Sequence, residues 1–190
     1  MKKTIENIIK SSIETKQRLL EKELQNIEKA VRIIRDRVIA GGKILIFGNG
    51  GSAADSQHIA AEFVGRFKLE RKAIPALALT TNTSTLTALS NDYGYAVTFK
   101  RQLQALGNKG DIAIAISTSG NAKNVIEAVE TAKEKGLTVI GLTGKGGGSL
   151  KPLCDISIVV DSEDTARIQE SHILIGHIIA EIVESNLSPI

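Results

Sequence analysis

An α/β fold with helices on both faces of a five-stranded parallel sheet is the architecture that this 190-residue sequence predicts. Short apolar runs alternate with stretches whose apolar residues recur at helical spacing. Strands that are joined by helices run parallel, and helices then cover both faces of the sheet, which gives a three-layer αβα sandwich. The predicted strands lie near Ile44–Phe47, Ala76–Thr80, Ile112–Ile116, Thr138–Leu142 and Ile156–Val159.

Longer helical patterns lie at the two ends of the chain. Residues from about Thr4 to Ala40 predict a helix or a helix pair outside the strand–helix core, which Gly41-Gly42 ends. Its apolar stripe is longer than one small domain can cover, so we expect self-association. A final helix is expected over Asp161–Leu187, after a glycine-rich loop, Gly144–Ser149, that we interpret as a flexible connector. The length favours one domain over residues 1–190, with a helical oligomerisation region over residues 1–40.

Composition excludes several classes of function. The net charge is only +3, aromatic residues make up 3% of the chain, and the lysines are interspersed with glutamates, so no nucleic-acid-binding pattern is present. Cys154 is the single cysteine, which excludes an internal disulfide and is typical of a reducing cytosol. No apolar run has the length of a membrane span. The sequence predicts a cytoplasmic protein whose partners are neither nucleic acid nor membrane.

The first predicted strand runs into a glycine-rich turn, Gly48-Asn49-Gly50-Gly51-Ser52. Glycines allow close backbone approach to a ligand, and the free N–H groups of a helix start attract an anion such as phosphate. The first hydroxyl of the turn, that of Ser52, is suited to capping the new helix. The turn fits neither the P-loop nor the dinucleotide-binding pattern. Taken alone, it is also compatible with a tight connection that binds no ligand.

A second polar turn, Ser117-Thr118-Ser119-Gly120-Asn121, follows the third predicted strand. The carboxyl ends of parallel strands meet at one edge of a sheet, so two such turns can contact one phosphorylated molecule. The alternative is that these hydroxyls only cap the next helix, although a cap requires a single hydroxyl.

Titratable residues lie on the helix after the first turn and on the last helix. His58 and Glu62 are spaced i and i+4 on one helix face, which suits a metal ion, a proton transfer or a plain surface hydrogen bond. In the last helix, Gln169 and His177 differ by about 80° around the axis, whereas His172 and His177 differ by about 140°. We therefore interpret His172 as a packed or surface histidine.

Together these segments resemble the phosphoheptose isomerases, a family of sugar-isomerase (SIS) domain proteins. The resemblance spans nearly the whole chain and rests on residues 48–58, Leu89-Ser90-Asn91-Asp92-Tyr93-Gly94, the turn at residues 117–121 and residues 165–177. The glycine and serine turns are common to many SIS domains. The combination of His58, Glu62, Gln169 and His177 is much more specific to these isomerases.

The resemblance implies a single SIS domain with flavodoxin-like strand order and a cytoplasmic homotetramer. The implied reaction converts sedoheptulose 7-phosphate into D-glycero-D-manno-heptose 7-phosphate, the first step towards ADP-heptose and lipopolysaccharide core. One zinc ion per subunit is implied, with His58, Glu62, Gln169 and His177 as ligands. The implied substrate-binding residues are Asn49, Gly50, Gly51, Ser52, His58, Glu62, Asn91, Asp92, Ser117, Thr118, Ser119 and Gln169.

The catalytic roles that we expect belong to Glu62 and His177. Glu62 removes a proton from C1 of the ketose, an enediol forms, and His177 helps to return a proton at C2. One departure from the family pattern is Ala122, where related isomerases carry a serine that faces the phosphate. Two alternatives are a non-catalytic SIS scaffold that binds the replication initiator DnaA and an isomerase of another sugar phosphate.

Overall fold

The central sheet of the computed structural model, which describes residues 1–187, contains five strands. They are β1 (Ile44–Gly48), β2 (Ala76–Ala78), β3 (Ile112–Ser117), β4 (Thr138–Gly144) and β5 (Ile156–Val160). All neighbouring strands pair in parallel in the order β2-β1-β3-β4-β5. This confirms the predicted fold class and the flavodoxin-like strand order. The last residues of the predicted domain, 188–190, lie outside the described part of the chain.

Six α-helices surround the sheet within residues 1–187. They are α1 (Lys2–Ile39), α2 (Gly51–Val64), α3 (Thr83–Tyr93), α4 (Thr98–Leu106), α5 (Lys123–Glu134) and α6 (Thr165–Ser185). The first region is therefore one continuous helix of 38 residues and not a helix pair. No helix in residues 1–187 is both long enough and apolar enough to cross a bilayer.

The three inner strands, β1, β3 and β4, contribute to two separate apolar cores, as expected for the middle layer of a sandwich. Alternate side chains point to opposite faces, so Ile44 and Ile46 join one core and Leu45 and Phe47 join the other. The first core is shared with α1, α2 and α6, and the second with α4 and α5. This confirms the three layers.

Helix α1 is part of the first core and does not lie outside it. Leu19, Ile27 and Ile34 are buried in that core, and α1 packs on α6 and β5. The expectation of a helix apart from the strand–helix core is therefore wrong, because one face of α1, with buried residues from Thr15 to Ile34, completes the layer beside α6. The apolar side chains of Ile5, Ile8, Ile9 and Ile13, near the start of α1, remain exposed.

Candidate functional site

Helices α2 and α6 lie side by side and bring His58, Glu62 and His177 together. The Nε2 atoms of His58 and His177 are 2.9 Å apart, and His58 Nε2 lies 3.2 Å from Glu62 Oε1. Close packing of the helices allows this approach, since a Cβ added at Gly176 would lie 2.6 Å from the side chain of Ile59. Three candidate ligands thus face one point, although His177 lies more than 100 residues after His58 and Glu62 in the sequence.

The cluster has the geometry of a divalent metal site. One ligand atom from each of His58, Glu62 and His177 lies within 4.8 Å of the other two. A tetrahedral zinc ion with bonds of about 2.0–2.1 Å separates its ligand atoms by roughly 3.3 Å, close to the spacing seen here. Half of the His58 side chain is exposed and 22% of the Glu62 side chain, so a small molecule can reach the cluster. These residues are compatible with the zinc ion that the family resemblance implies.

Gln169, the fourth ligand candidate, lies against the first turn. A Cβ added at Gly51 would overlap Nε2 of Gln169, so a larger residue at position 51 would require this amide to move. Gln169 therefore connects α6 to the start of α2, one turn of α6 before the buried His172 and two turns before His177. The Gln169 amide thus lies against the predicted anion-binding turn, while its backbone belongs to α6, the helix that carries His177.

Asp55 is a carboxylate near the site that sequence reasoning missed. Burial raises its pKa to about 6, while the charge of nearby His58 acts in the opposite direction. Its Oδ2 is buried and has no hydrogen-bond partner within the described residues. The signal was available, because Asp55 and His58 are spaced i and i+3 on the same helix face.

The first turn forms an anion-type helix start, but Ser52 does not cap it. Gly50, with φ of 57°, occupies the N-cap position without a side-chain cap. Ser52 is instead buried under the turn. It packs so closely on Gly48 that a Cβ added there would lie 2.7 Å from the Cβ of Ser52. The predicted hydroxyl cap is therefore wrong, because the glycine backbone makes the turn by itself. The N–H groups of Ser52 and Ala53, at the start of α2, donate to the carbonyls of Asn49 and Gly50 at 3.0 Å.

Asn49 is fixed by two side chains that sequence reasoning did not identify. Its amide exchanges two hydrogen bonds of 2.9 Å with the amide of buried Asn124, and the Tyr95 hydroxyl donates to Asn49 Oδ1 at 2.9 Å. Both partners are distant in sequence. Asn91 and Asp92, by contrast, are exposed at the end of α3, where the Asn91 amide donates to the Asp92 carboxylate.

The second turn does not cap α5. Ala122 is the N-cap residue and no side chain caps the helix, so the capping alternative for the three hydroxyls is wrong. Ser117 is buried, and Thr118 and Ser119 are half-buried. The hydroxyl of Ser119 accepts a hydrogen bond from the backbone of Asn121.

The loop over residues 144–149 packs on the second turn. A Cβ at Gly120, whose φ is 66°, would overlap the carbonyl group of Gly147. The Asn121 side chain accepts a hydrogen bond of 2.9 Å from Ser149 N–H. The interpretation of this loop as a flexible connector is therefore wrong, because its glycines allow backbone to pack directly on backbone.

His172 is packed in the interior, as the helical angles predict. It is fully buried, and its Nε2 donates to the carbonyl of Thr143 at 3.1 Å. A carbonyl oxygen only accepts hydrogen bonds, so this contact fixes the proton on Nε2. Burial lowers the pKa of His172 to about 4, with the Thr143 hydrogen bond opposing the shift.

Comparison with known proteins gives one family and a consistent set of relatives. Residues 9–144 match the family model described as "SIS domain". The chain is 54% identical over 189 residues to a phosphoheptose isomerase from Clostridium acetobutylicum, with 98% of this chain and 96% of that one covered.

Solved structures agree with the sequence comparison. The fold is similar to that of a phosphoheptose isomerase from Neisseria gonorrhoeae, with a TM-score of 0.92, 42% identity and coverage of 97% of this chain and 98% of that one. The corresponding enzyme from Francisella tularensis gives a TM-score of 0.94 at 37% identity, with the same coverage of both chains.

Proposed function

Because the chain belongs to the SIS domain family and, within it, to the phosphoheptose isomerases, we propose that it converts sedoheptulose 7-phosphate into D-glycero-D-manno-heptose 7-phosphate. The family makes it an aldose–ketose isomerase that acts on a sugar phosphate in heptose synthesis. The observation that supports the proposal most strongly is the convergence of His58, Glu62 and His177. We place the reaction in the cytoplasm, as the first step towards ADP-heptose and lipopolysaccharide core.

Proton transfer between C1 and C2 is the chemistry that we assign to Glu62 and His177. The Glu62 carboxylate takes a proton from C1 of the ketose, and the electron pair that remains forms the enediol with C2. A proton then returns to C2, while the hydroxyl proton at O1 moves to O2 and leaves the aldehyde at C1. His177 helps to return the proton at C2 and to exchange protons with the oxygens, since one imidazole nitrogen can donate a proton and the other can accept one.

We propose that His58, Glu62, Gln169 and His177 hold one zinc ion per subunit. When bound, the ion supplies Lewis-acid stabilisation of the negative charge that develops on the enediol oxygens. A carboxylate that binds zinc is a weaker base than a free one, so the roles of Glu62 as ligand and as base oppose each other. The two oxygens of the carboxylate allow one to face the metal while the other takes the proton.

The substrate phosphate and hydroxyls are assigned to the two turns. We propose that Ser117, Thr118 and Ser119 and the start of α2 bind the phosphate. The remaining polar contacts of the sugar are assigned to Asn49, Gly50, Gly51, Ser52, His58, Glu62, Asn91, Asp92 and Gln169. The family resemblance implies a serine that faces the phosphate at position 122, and Ala122 lacks that hydroxyl. One charge-assisted hydrogen bond contributes about 1.5–3 kcal/mol, so its loss weakens binding without changing the type of reaction.

Proton NMR in deuterated water tests the reaction directly. Zinc-loaded protein and sedoheptulose 7-phosphate are expected to give a growing C1 signal of an aldose heptose 7-phosphate. Exchange of the transferred proton with solvent places deuterium at C2, so this signal is expected to lack coupling to a C2 proton. His177→Ala, prepared in the same way, controls for contaminating activity and is expected to give no product.

Other outcomes would favour the alternatives. Turnover of a different phosphorylated ketose, with none of the heptulose, would assign the chain to another sugar phosphate. Zinc binding without turnover of any sugar phosphate would favour a non-catalytic scaffold such as the SIS protein that binds DnaA.

We propose that the chain forms a homotetramer through the helical region at residues 1–40. Five apolar side chains in the first two thirds of α1 are each more than half exposed and lie within about 100° around the helix axis. They are Ile5, Ile9, Ile13, Leu20 and Leu24. A stripe of this length in water favours burial against other copies of α1.

A charge in the middle of this stripe is expected to reduce the size of the assembly. The Ile13 side chain is 61% exposed in the single chain. Ile13→Glu places a carboxylate there, and desolvation of that carboxylate at an interface is unfavourable. Sedimentation equilibrium is expected to give a lower mass than wild type, with an unchanged far-ultraviolet spectrum. Gln25→Glu, on the opposite side of α1, is the matched control. An unchanged mass for Ile13→Glu would remove the stripe from the interface.

A further inference from the structure

A buried ion pair joins the end of α2 to the end of α6. The side chains of Arg71 and Glu184 are 2% and 1% exposed, and Arg71 Nε lies 3.3 Å from Glu184 Oε2. Neither residue lies in a motif that sequence analysis identified. Both are close in the chain to helices that carry site residues. Arg71 lies in the segment that follows α2, and Glu184 lies on α6.

Arg71 binds the backbone at the carboxyl end of α2. Its Nη2 donates to the carbonyl oxygen of Glu62 at 2.8 Å, and its Nη1 donates to the carbonyls of Phe63 at 2.8 Å and Gly65 at 3.0 Å. The last carbonyls of a helix have no partner within the helix, and the guanidinium binds two of them here, although the Phe63 carbonyl also accepts the N–H of Ile74 at 3.1 Å. Arg71 thereby holds the turn of α2 that carries the carboxylate of Glu62.

Glu184 binds the segment that crosses from α2 towards the sheet. Its carboxylate accepts the backbone N–H groups of Phe67, Lys68 and Leu69 at 2.6 to 2.8 Å. Burial by itself raises the pKa of Glu184, but these three hydrogen bonds and the charge of Arg71 lower it overall. Glu184 is therefore an ionised, fully hydrogen-bonded anchor.

The same segment reaches the candidate metal cluster. Glu184 follows His177 by seven residues, which places the two side chains on one face of α6, two turns apart. The ring of Phe67, whose N–H is bound by Glu184, lies with its centroid 5.3 Å from that of His177. One buried pair thus contacts the backbone of Glu62 and, through Phe67, the imidazole of His177.

We propose that Arg71 and Glu184 are positioning residues that set the spacing between Glu62 on α2 and His177 on α6. Residues that orient metal ligands without touching the metal change metal affinity by about 10- to 100-fold when they are replaced. The inference rests on the proposed metal site and isomerase activity, but the positions of the two imidazoles are measured without metal or substrate.

The test uses the fact that the chain contains three histidines, namely His58, His172 and His177. The imidazole proton signals of the zinc-free protein are compared for wild type, Arg71→Lys and Glu184→Gln, after urea unfolding shows that each is folded. Lysine keeps the charge but lacks the fork that reaches several carbonyls, and glutamine keeps the size but loses the charge. The signals of His58 and His177 are expected to shift, while that of buried His172 stays in place. Zinc affinity, measured by competition with a chelator, is expected to fall about 10-fold or more.

Asp111→Asn is the matched control. Asp111 is also buried, forms an ion pair with Lys43 and accepts the N–H groups of Lys43 and Asn108, but these partners flank β1 and β3 and belong to neither α2 nor α6. This variant is expected to unfold at lower urea concentration with wild-type imidazole signals and wild-type zinc affinity.

The imidazole signals and the zinc affinity separate a positioning role of the pair from a general stabilising role. Variants of the pair that behave like Asp111→Asn, or that move all three imidazole signals equally, would reduce Arg71 and Glu184 to general stabilisers and overturn the inference. Turnover by wild type is recorded in the same samples. Absence of heptulose phosphate turnover in wild type would overturn the proposed function, while the imidazole signals would still report on the pair.

Discussion

Replacement of Glu62 by glutamine is expected to lower kcat for isomerisation by about 10²- to 10⁴-fold. An amide cannot accept the C1 proton, yet its oxygen still occupies the position of the carboxylate oxygen, which lies 3.2 Å from His58 Nε2 in the wild-type protein. The variant therefore separates the role of base from the role of ligand. We expect it to retain bound zinc while it fails to exchange the C1 protons of the ketose with deuterated solvent.

The measurement combines kcat, zinc content and deuterium exchange at C1 on the same preparation. Glu134→Gln, on the exposed surface of α5, is the control for loss of one negative charge and is expected to retain wild-type kcat. Near wild-type turnover by Glu62→Gln with metal bound would place the base elsewhere. Asp55, whose pKa is raised to about 6 by burial, is then the next carboxylate to test, with Asp55→Asn.

The sheet and the helix faces could be predicted from sequence because each depends on local periodicity. Strands that are buried on both faces appear as continuous apolar runs, and β1, β3, β4 and β5 each match the predicted strand to within two residues. The predicted second strand, Ala76–Thr80, ends early at Ala78. As an edge strand it pairs only with β1, and the Thr81 hydroxyl turns the chain by binding the carbonyl of Ala78.

The candidate cluster was predictable in part for the same reason. The spacing of His58 and Glu62 follows from one helix turn, and the angles of α6 separate His177 from His172. Nothing local indicates that α2 and α6 touch, which depends on close packing of Ile59 on Gly176. The link between the helices came from the family resemblance, which carried Gln169 and His177 to the same site.

Contacts between distant segments were beyond any local pattern. Asn124 and Tyr95 bind Asn49 across 75 and 46 residues, and Glu184 binds a segment more than 110 residues earlier. Arginine and glutamate are mostly exposed in folded proteins, so the sequence alone predicts that both side chains face solvent. Their burial can be inferred only when the groups that bind them are known. The glycines of residues 144–149 are misleading for a related reason, since they serve close packing on Gly120 and not freedom of the chain.

The second large effect concerns His172 and the stability of the fold in acid. Burial lowers the pKa of this imidazole to about 4 in the folded chain, from 6.5 for an exposed histidine. Above pH 6.5 the imidazole is neutral in both the folded and the unfolded chain. As the pH falls from 6.5 to about 4, the unfolded chain binds a proton that the folded chain excludes, so the free energy of unfolding decreases. The interval of about 2.5 pH units corresponds to roughly 3 kcal/mol.

Urea unfolding between pH 7.5 and pH 4, in the presence of a chelator and at fixed protein concentration, measures this effect without a contribution from bound metal. Other groups also contribute, because Glu184 and Asp111 have lowered pKa values and lose their stabilising charge as they are protonated. His172→Gln removes only the imidazole and retains an amide suited to donate to the Thr143 carbonyl. We expect the variant to be less stable at pH 7.5 but to lose less stability than wild type between pH 6.5 and pH 4. Equal losses in the two proteins would show that His172 is protonated in the folded chain, which its burial against β4 makes unfavourable.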